Sequence, residues 1–219
     1  MRDGRSDGSL LRLVRERRSV RHFESSPVPR QAIVRILEAG RHSPSGANRQ
    51  PWCYIVIDDP AVKQAIRTEC ERAEDVFHRN APTDLMAWMK VHGITSQKPF
   101  LEEAPCLIAV FYKTREPYAV PSVWVSIAFM LLQVEQEGLG ATIYTPAGAR
   151  LNSILLTPDE FRLAAILPIG IPADYQRQNR RALSEMVFEN QFGRPLEEGS
   201  GLDGTPLTEC TEQAQRSQD

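Results

Sequence analysis

Apolar residues along this chain switch between helical spacing and short unbroken runs, and the switches fall at Pro, Gly, Asp and Ser. Leu10, Leu13 and Val14 recur on one side of a segment that Ser9 can cap, which predicts a first helix. Pro29 opens a second helix with Ile33, Ile36 and Leu37 at core spacing, and Gly40 stands where a C-terminal cap belongs. A polar turn from Pro44 to Pro51 leads into the apolar run Trp52–Ile57, which predicts a strand. Pro60 then begins a third helix reaching about Arg79, with Ile66, Cys70 and Phe77 on its apolar side.

In residues 80–103, Met86, Trp88, Met89 and Val91 alternate with polar residues and precede the loop His92–Pro99, a pattern that predicts a helical insertion serving as a lid. Cys106–Tyr112 is continuously apolar, as a central strand buried on both faces requires. Ser122 to Glu137 is apolar on nearly every side through Leu132, so both its sides are expected to be buried. Gly138 and Gly140 end that helix, and Ala141–Thr145 is expected to form a strand. Thr157-Pro158-Asp159-Glu160 matches a capping box before a short helix, and Ala164–Ile169 predicts a last strand. No repeat or linker interrupts the pattern. The reading is a flexible start (1–8), one α+β domain (9–194, with its lid at about 71–100) and a polar tail (195–219) expected to be disordered.

Composition narrows the function classes. The net charge of −2 and the 25% charged residues suit a soluble domain and give no general affinity for nucleic acid or anionic membranes. The N-terminus lacks a signal-peptide apolar core, and Val123–Leu132 is too short to span a bilayer, so a cytoplasmic location is expected. The four cysteines show no CxxC or CxxH spacing, which predicts neither zinc nor another metal site. Cys53 and Cys106 lie in apolar runs and are expected to be buried thiols.

Two segments carry candidate chemistry. Arg17-Arg18-Ser19-Val20-Arg21 masses guanidinium groups around a hydroxyl, which suits a nucleotide phosphate. Ser43-Pro44-Ser45-Gly46-Ala47-Asn48 is a tight turn that lets backbone approach a flat ligand. Together with Glu137-Gly138-Leu139-Gly140, Thr142-Ile143-Tyr144-Thr145-Pro146 and Leu167–Pro172 followed by Arg180-Arg181, they resemble the nitroreductase superfamily over roughly residues 10–190. Within it, Ser45-Gly46-Ala47, Thr145-Pro146 and the lid spacing are most similar to the iodotyrosine deiodinase-like subgroup.

The resemblance implies an FMN-dependent homodimer with a mixed, mainly antiparallel sheet flanked by helices and active sites at the subunit interface. It assigns Arg17, Arg18, Ser19, Arg21, Pro44, Ser45, Gly46, Ile143, Tyr144, Thr145 and Arg180 to the flavin, with Arg181 competing for the phosphate. Thr145 takes the catalytic role, its hydroxyl hydrogen-bonding flavin N5. Ala47, Glu74, His78 and Lys98 fall on the substrate side, where a carboxylate and an ammonium can grip a zwitterion. His78 stands where the subgroup has tyrosine. An imidazole lacks the phenol's reach and gains charge near neutral pH, which points to a smaller or different aromatic such as a halophenol, a nitrophenol or a nitroaromatic drug. The implied activity is NAD(P)H-driven nitroaromatic reduction or reductive dehalogenation of a halophenol or halotyrosine. A dimethylbenzimidazole synthase-like flavin-consuming enzyme and a non-catalytic flavin sensor stand as alternatives. From the residues alone, Glu74, His78 and Lys98 read first as ordinary surface side chains, since Glu and Lys are seldom buried, and only the alignment to the subgroup sets the clamp level with that reading.

Overall fold

A four-stranded sheet with different side chains on its two faces organises the first part of the molecule. The computed structural model describes residues 9–146, 148–174 and 179–195. Its strands are β1 (Trp52–Ile57), β2 (Cys106–Lys113), β3 (Gly140–Ala141) and β4 (Phe161–Gly170). They run in the order β1-β2-β4-β3, each pair antiparallel. A single parallel bridge from Ser19 to Ala141 adds the N-terminal segment outside β3. The sheet is therefore mixed and mainly antiparallel within an α+β fold.

Strand alternation explains the unbroken apolar run of β2. Cys106, Ile108 and Val110 face one core, shared with Ile33 and Ile36 of helix α2 (Arg30–Arg41) and with Val123, Ile127 and Met130 of helix α6 (Ala119–Gln136). Leu107, Ala109 and Phe111 face a second core, shared with Ile66 and Cys70 of helix α3 (Pro60–Asn80) and with Phe100, Leu101 and Tyr144. Helix α1 (Ser9–Glu16) precedes α2. Helices α4 (Thr83–Val91) and α5 (Phe100–Glu103) follow α3, and the short α7 (Asn152–Leu155) precedes β4. Asp59 caps α3 by accepting from the N–H groups of Ala61 and Val62, with Pro60 in the first turn, where its missing N–H costs nothing.

Several expectations are corrected. Gly40 caps nothing: it lies inside α2, buried at the crossing with α6, where an added Cβ would stand 2.7 Å from Met130 Cγ. Thr157–Glu160 opens no helix. Phe161 N–H bonds to Pro158 O in a turn and the chain enters β4 directly, because Phe161, Arg162 and Leu163 extend the ladder to β2. The expected Ala141–Thr145 strand keeps its register, Ala141 opposite Ile169 and Tyr144 opposite Ile166, but the ladder is interrupted at Thr142 and Ile143. Cys53 is exposed: it lies near the start of β1, an edge strand, where an apolar run does not by itself bury a residue.

Helix α6 is long and apolar enough by length and composition to cross a membrane, more so than Val123–Leu132 alone suggests. Val123, Ile127, Met130 and Val134 are packed in the core, as a core helix requires. Its other side is left open among the described residues. Val120, Trp124, Val125 and Phe129 stay 37–45% exposed, and Leu10, Leu11 and Val14 of α1 are exposed as well.

By contact density the chain divides into two units, Met1–Gln176 and Arg177–Asp219. In the second, Leu183–Glu185 forms a 3-10 turn and Phe188 pairs with Pro195. The expected flexible start (1–8) and the tail from residue 196 lie outside the described residues.

Gly140 joins β3 to the arginine segment. A Cβ there would lie 2.5 Å from Val20 Cγ2 and 2.9 Å from Pro172 Cγ. Gly140→Ala is therefore expected to cost about 1–3 kcal/mol through overpacking. Thermal denaturation should show a midpoint lower by roughly 2–12 °C.

Candidate functional site

Candidate residues gather at three places. At the outer edge of the sheet, Val20 N–H donates to Ala141 O at 3.0 Å, and Ser19 lies beside Ala141. This sets Arg17, Arg18, Ser19 and Arg21 against the strand that runs on to Ile143 and Thr145. Arg21 and Thr145 are exposed, Ile143 is also open, and Arg17, Arg18 and Ser19 are half-buried. The Arg18 guanidinium folds back onto the carbonyls of Arg15 and Arg17. The recess beside it, between Arg18, Val20, Glu135 and Gly140, holds about 50 Å³, far below what a flavin needs.

Pro44, Ser45, Gly46 and Ala47 form the second place, at the other end of α6. Gly46 N–H donates to Ser122 Oγ at 3.1 Å and Gln50 N–H to Ser45 Oγ at 3.0 Å. Ala47, Asn48 and Gln50 all adopt positive φ (49°, 54° and 47°), a strained backbone for side-chain-bearing residues. A Cβ on Gly46 would fall 2.6 Å from Tyr118, so only glycine fits there. At about 1.5 Å per residue, helix from Ser122 to Gln136 separates this turn from the arginine end by roughly 20 Å. The chain by itself keeps these two sets of candidate residues apart.

The third place lies on the α3 side of the sheet. Glu74 and Lys98 are both buried, at 6% and 7% exposure, which settles the alternative of plain surface residues against it. Lys98 Nζ lies 3.4 Å from Glu74 Oε2, and His78 Nε2 lies 3.6 Å from the same oxygen. His78 Nε2 is buried without a hydrogen-bond partner. Lys98 Nζ also donates to Thr95 O, and the Lys98 N–H donates to Glu71 Oε1 at 2.7 Å. Arg67 bridges Glu71 and Glu102 at 2.9 Å each, tying α3 to α5, and its hydrogen bond with Glu71 is the main influence raising its pKa. Beside His78 an opening of about 400 Å³ is lined by Asp75, Arg79 and Met86.

Tyr144 joins this cluster rather than the arginine end. Its hydroxyl donates to Glu74 Oε1 at 2.9 Å, and its ring packs edge-on against Phe100 at 5.6 Å. Burial is the main force raising the phenol's pKa, and Cys70 and Glu74 nearby push the same way, so it stays a donor. Burial likewise pushes the Cys70 thiol up to about 12. The phenol's partnership with Glu74 is a contact across the fold, and no spacing in the sequence signals it. Arg180 and Arg181 are exposed and belong to the second unit. Among the described residues no cluster of His, Cys, Asp or Glu could hold a metal.

The sequence matches the Nitroreductase family over residues 14–171. The chain belongs to this family. Among the nitroreductases' curated members it is similar to the iodotyrosine deiodinase of Thermotoga neapolitana, 39% identical over 166 residues, 75% of this chain and 89% of the relative. A crystal structure of oxidized iodotyrosine deiodinase bound to FMN and 3-iodo-L-tyrosine superposes with a TM-score of 0.77 at 36% identity, covering 83% of this chain and 98% of that one. A BluB-like flavoprotein from Clostridium difficile 630 reaches 0.72 at 19% identity over 84% of this chain and 100% of its own, a likeness of fold alone. Family and deiodinase relatives together support an FMN-dependent oxidoreductase.

The residues present fit such a cofactor. The arginine segment offers several guanidinium donors to a phosphate. Exposed Thr145 and the Cβ-free backbone at Gly46 suit the edge and face of a flat ring system.

Proposed function

We propose that the protein is a homodimeric FMN-dependent reductive dehalogenase that takes electrons from NAD(P)H and acts on a halogenated tyrosine. The observation that carries this reading is the buried Glu74–Lys98 pair, 3.4 Å apart. Opposite charges held side by side out of water match the ammonium and carboxylate of a free amino acid. An ordinary nitroaromatic has no use for them.

The separation of the flavin candidates along α6 supports the homodimer. A second copy packed two-fold across the exposed face of α6 would set the start of one α6 beside the end of the other. Pro44–Gly46 of one protomer would then complete the site begun by Arg17–Arg21 and Thr145 of its partner, and the apolar stripe would be covered.

In this arrangement Arg17, Ser19 and Arg21 hold the phosphate and ribityl chain, Pro44–Gly46 backs the ring, and the Thr145 hydroxyl meets the ring edge. Bound FMN supplies a two-electron store that the nicotinamide fills and the aromatic substrate empties. Glu74 takes the substrate ammonium and Lys98 its carboxylate, which orients the aromatic ring. Over one turnover a carbon–halogen bond gives way to carbon–hydrogen, halide leaves, and NAD(P)H is oxidised by two electrons.

Anaerobic incubation of the purified yellow protein with NADH or NADPH tests the reading. Addition of 3-iodotyrosine is expected to restore the oxidised spectrum and release iodide, with a higher kcat/KM than 2-iodophenol. Reoxidation by 4-nitrophenol alone would overturn it in favour of nitro reduction, which the imidazole of His78 favours as a second reading. Tight FMN that neither nucleotide bleaches would instead indicate a sensor.

A further inference from the structure

Tyr144 is anchored on every side. Its N–H and C=O both bond to Ile166 of β4, at 2.9 and 2.8 Å, and its ring is 8% exposed against Phe100. The groups around Glu74 come from three segments: His78 from α3 itself, Lys98 from the stretch after α4, and Tyr144 from the sheet. Among the described residues, Tyr144 is the one sheet residue that bonds the carboxylate.

We propose that Tyr144 is a positioning residue that sets substrate specificity: its hydroxyl engages Glu74 Oε1 and thereby leaves Oε2 alone, now 3.4 Å from Lys98 Nζ, to be taken from the lysine by the amino group of the substrate. The inference rests on the clamp reading above and extends it to a residue outside the lid. A carboxylate with both oxygens unengaged rotates about its terminal torsion, which is soft and two-fold. Lys98 Nζ already meets Oε2 at 3.4 Å, and without the tyrosine Glu74 would offer it Oε1 as well and tighten that pair against an incoming substrate. The Tyr144 hydroxyl, 2.9 Å from Oε1, prevents that turn. Because Tyr144 directly precedes Thr145, the same residue also fixes the distance between the lid carboxylate and the flavin-side threonine. Only a substrate that carries an amino-acid end gains from this.

Tyr144→Phe keeps the ring and its contact with Phe100 while removing the hydroxyl. In the holoenzyme, kcat and KM are measured for 3-iodotyrosine and 2-iodophenol, alongside Lys98→Ala. The ratio of kcat/KM for iodotyrosine to that for iodophenol is expected to fall roughly tenfold in Tyr144→Phe, as the loss of one charge-assisted hydrogen bond implies. The fall should lie in KM for iodotyrosine. Hydrogen exchange across residues 71–100 should quicken as the lid loses its tie to the sheet. If Lys98→Ala lowers the ratio and Tyr144→Phe does not, the clamp stands and the role of Tyr144 is refuted. If neither lowers it, the clamp itself is wrong and the inference falls with it. Equal losses on both substrates would show a packing role only and overturn the assignment.

Discussion

Replacing Phe129 by aspartate is expected to give a folded, colourless monomer. Phe129 lies on the exposed stripe of α6 with Val120, Trp124 and Val125, and is itself 41% exposed, so the fold of one protomer does not depend on it. Across a two-fold axis each substitution counts twice. With 41% of each ring left to bury, losing two phenyl groups weakens association by roughly 1–3 kcal/mol, a factor of roughly 5 to 150 in the dimer dissociation constant. Two carboxylates facing an apolar surface add to that. Flavin should leave with the partner, because the Ser45–Gly46 turn and the Arg17–Ser19 segment are held at opposite ends of α6. Sedimentation and the flavin-to-protein absorbance ratio check both effects together. A monomeric variant with one FMN per chain would place the whole site inside a single protomer and refute the split-site account.

What the sequence made legible was decided by local physics. Trp52–Ile57 and Cys106–Lys113 stand out because a strand buried on both faces cannot hide its composition. Helix α3 announces itself through Pro60, a first-turn proline whose effect is local, and the structure adds the Asp59 cap beside it. Gly40 and Thr157–Glu160 misled for the converse reason. Their local signals are weak, about 1 kcal/mol or less, and the approach of α6 in one case and the ladder to β2 in the other override them. The cation-rich segment and the glycine turn were readable as ligand-binding chemistry. Their separation along α6 was not, since it depends on how α6 lies against the sheet. The exposed side of α6 shows the same limit. An all-apolar helix predicts burial all round, but the sequence does not say which side the fold buries and which it leaves exposed.

Lys98 offers the sharpest test of the clamp, because stability and binding move in different ways there. Removing one partner of a buried pair leaves the other uncompensated, and such losses run to about 3–5 kcal/mol. Glu74 keeps the Tyr144 hydroxyl at 2.9 Å, so Lys98→Ala belongs at the low end. A cost of about 3 kcal/mol lowers the thermal midpoint by roughly 6–12 °C. Substrate should suffer separately: losing a charged contact to the carboxylate is worth about 1.5–3 kcal/mol, or roughly 10- to 150-fold in affinity for 3-iodotyrosine. The double variant Glu74→Gln/Lys98→Met removes both charges, fills similar volume and leaves an acceptor for Tyr144. It should regain most of the midpoint lost in Lys98→Ala, because paired deletion of a buried ion pair is close to neutral. It should not regain iodotyrosine binding, since nothing remains to meet the zwitterion. Denaturation midpoints and iodotyrosine titrations of the three proteins separate the effects. Recovery of binding with recovery of stability would mean that Lys98 matters only for holding the lid together, and the charged grip on the substrate would have to be abandoned.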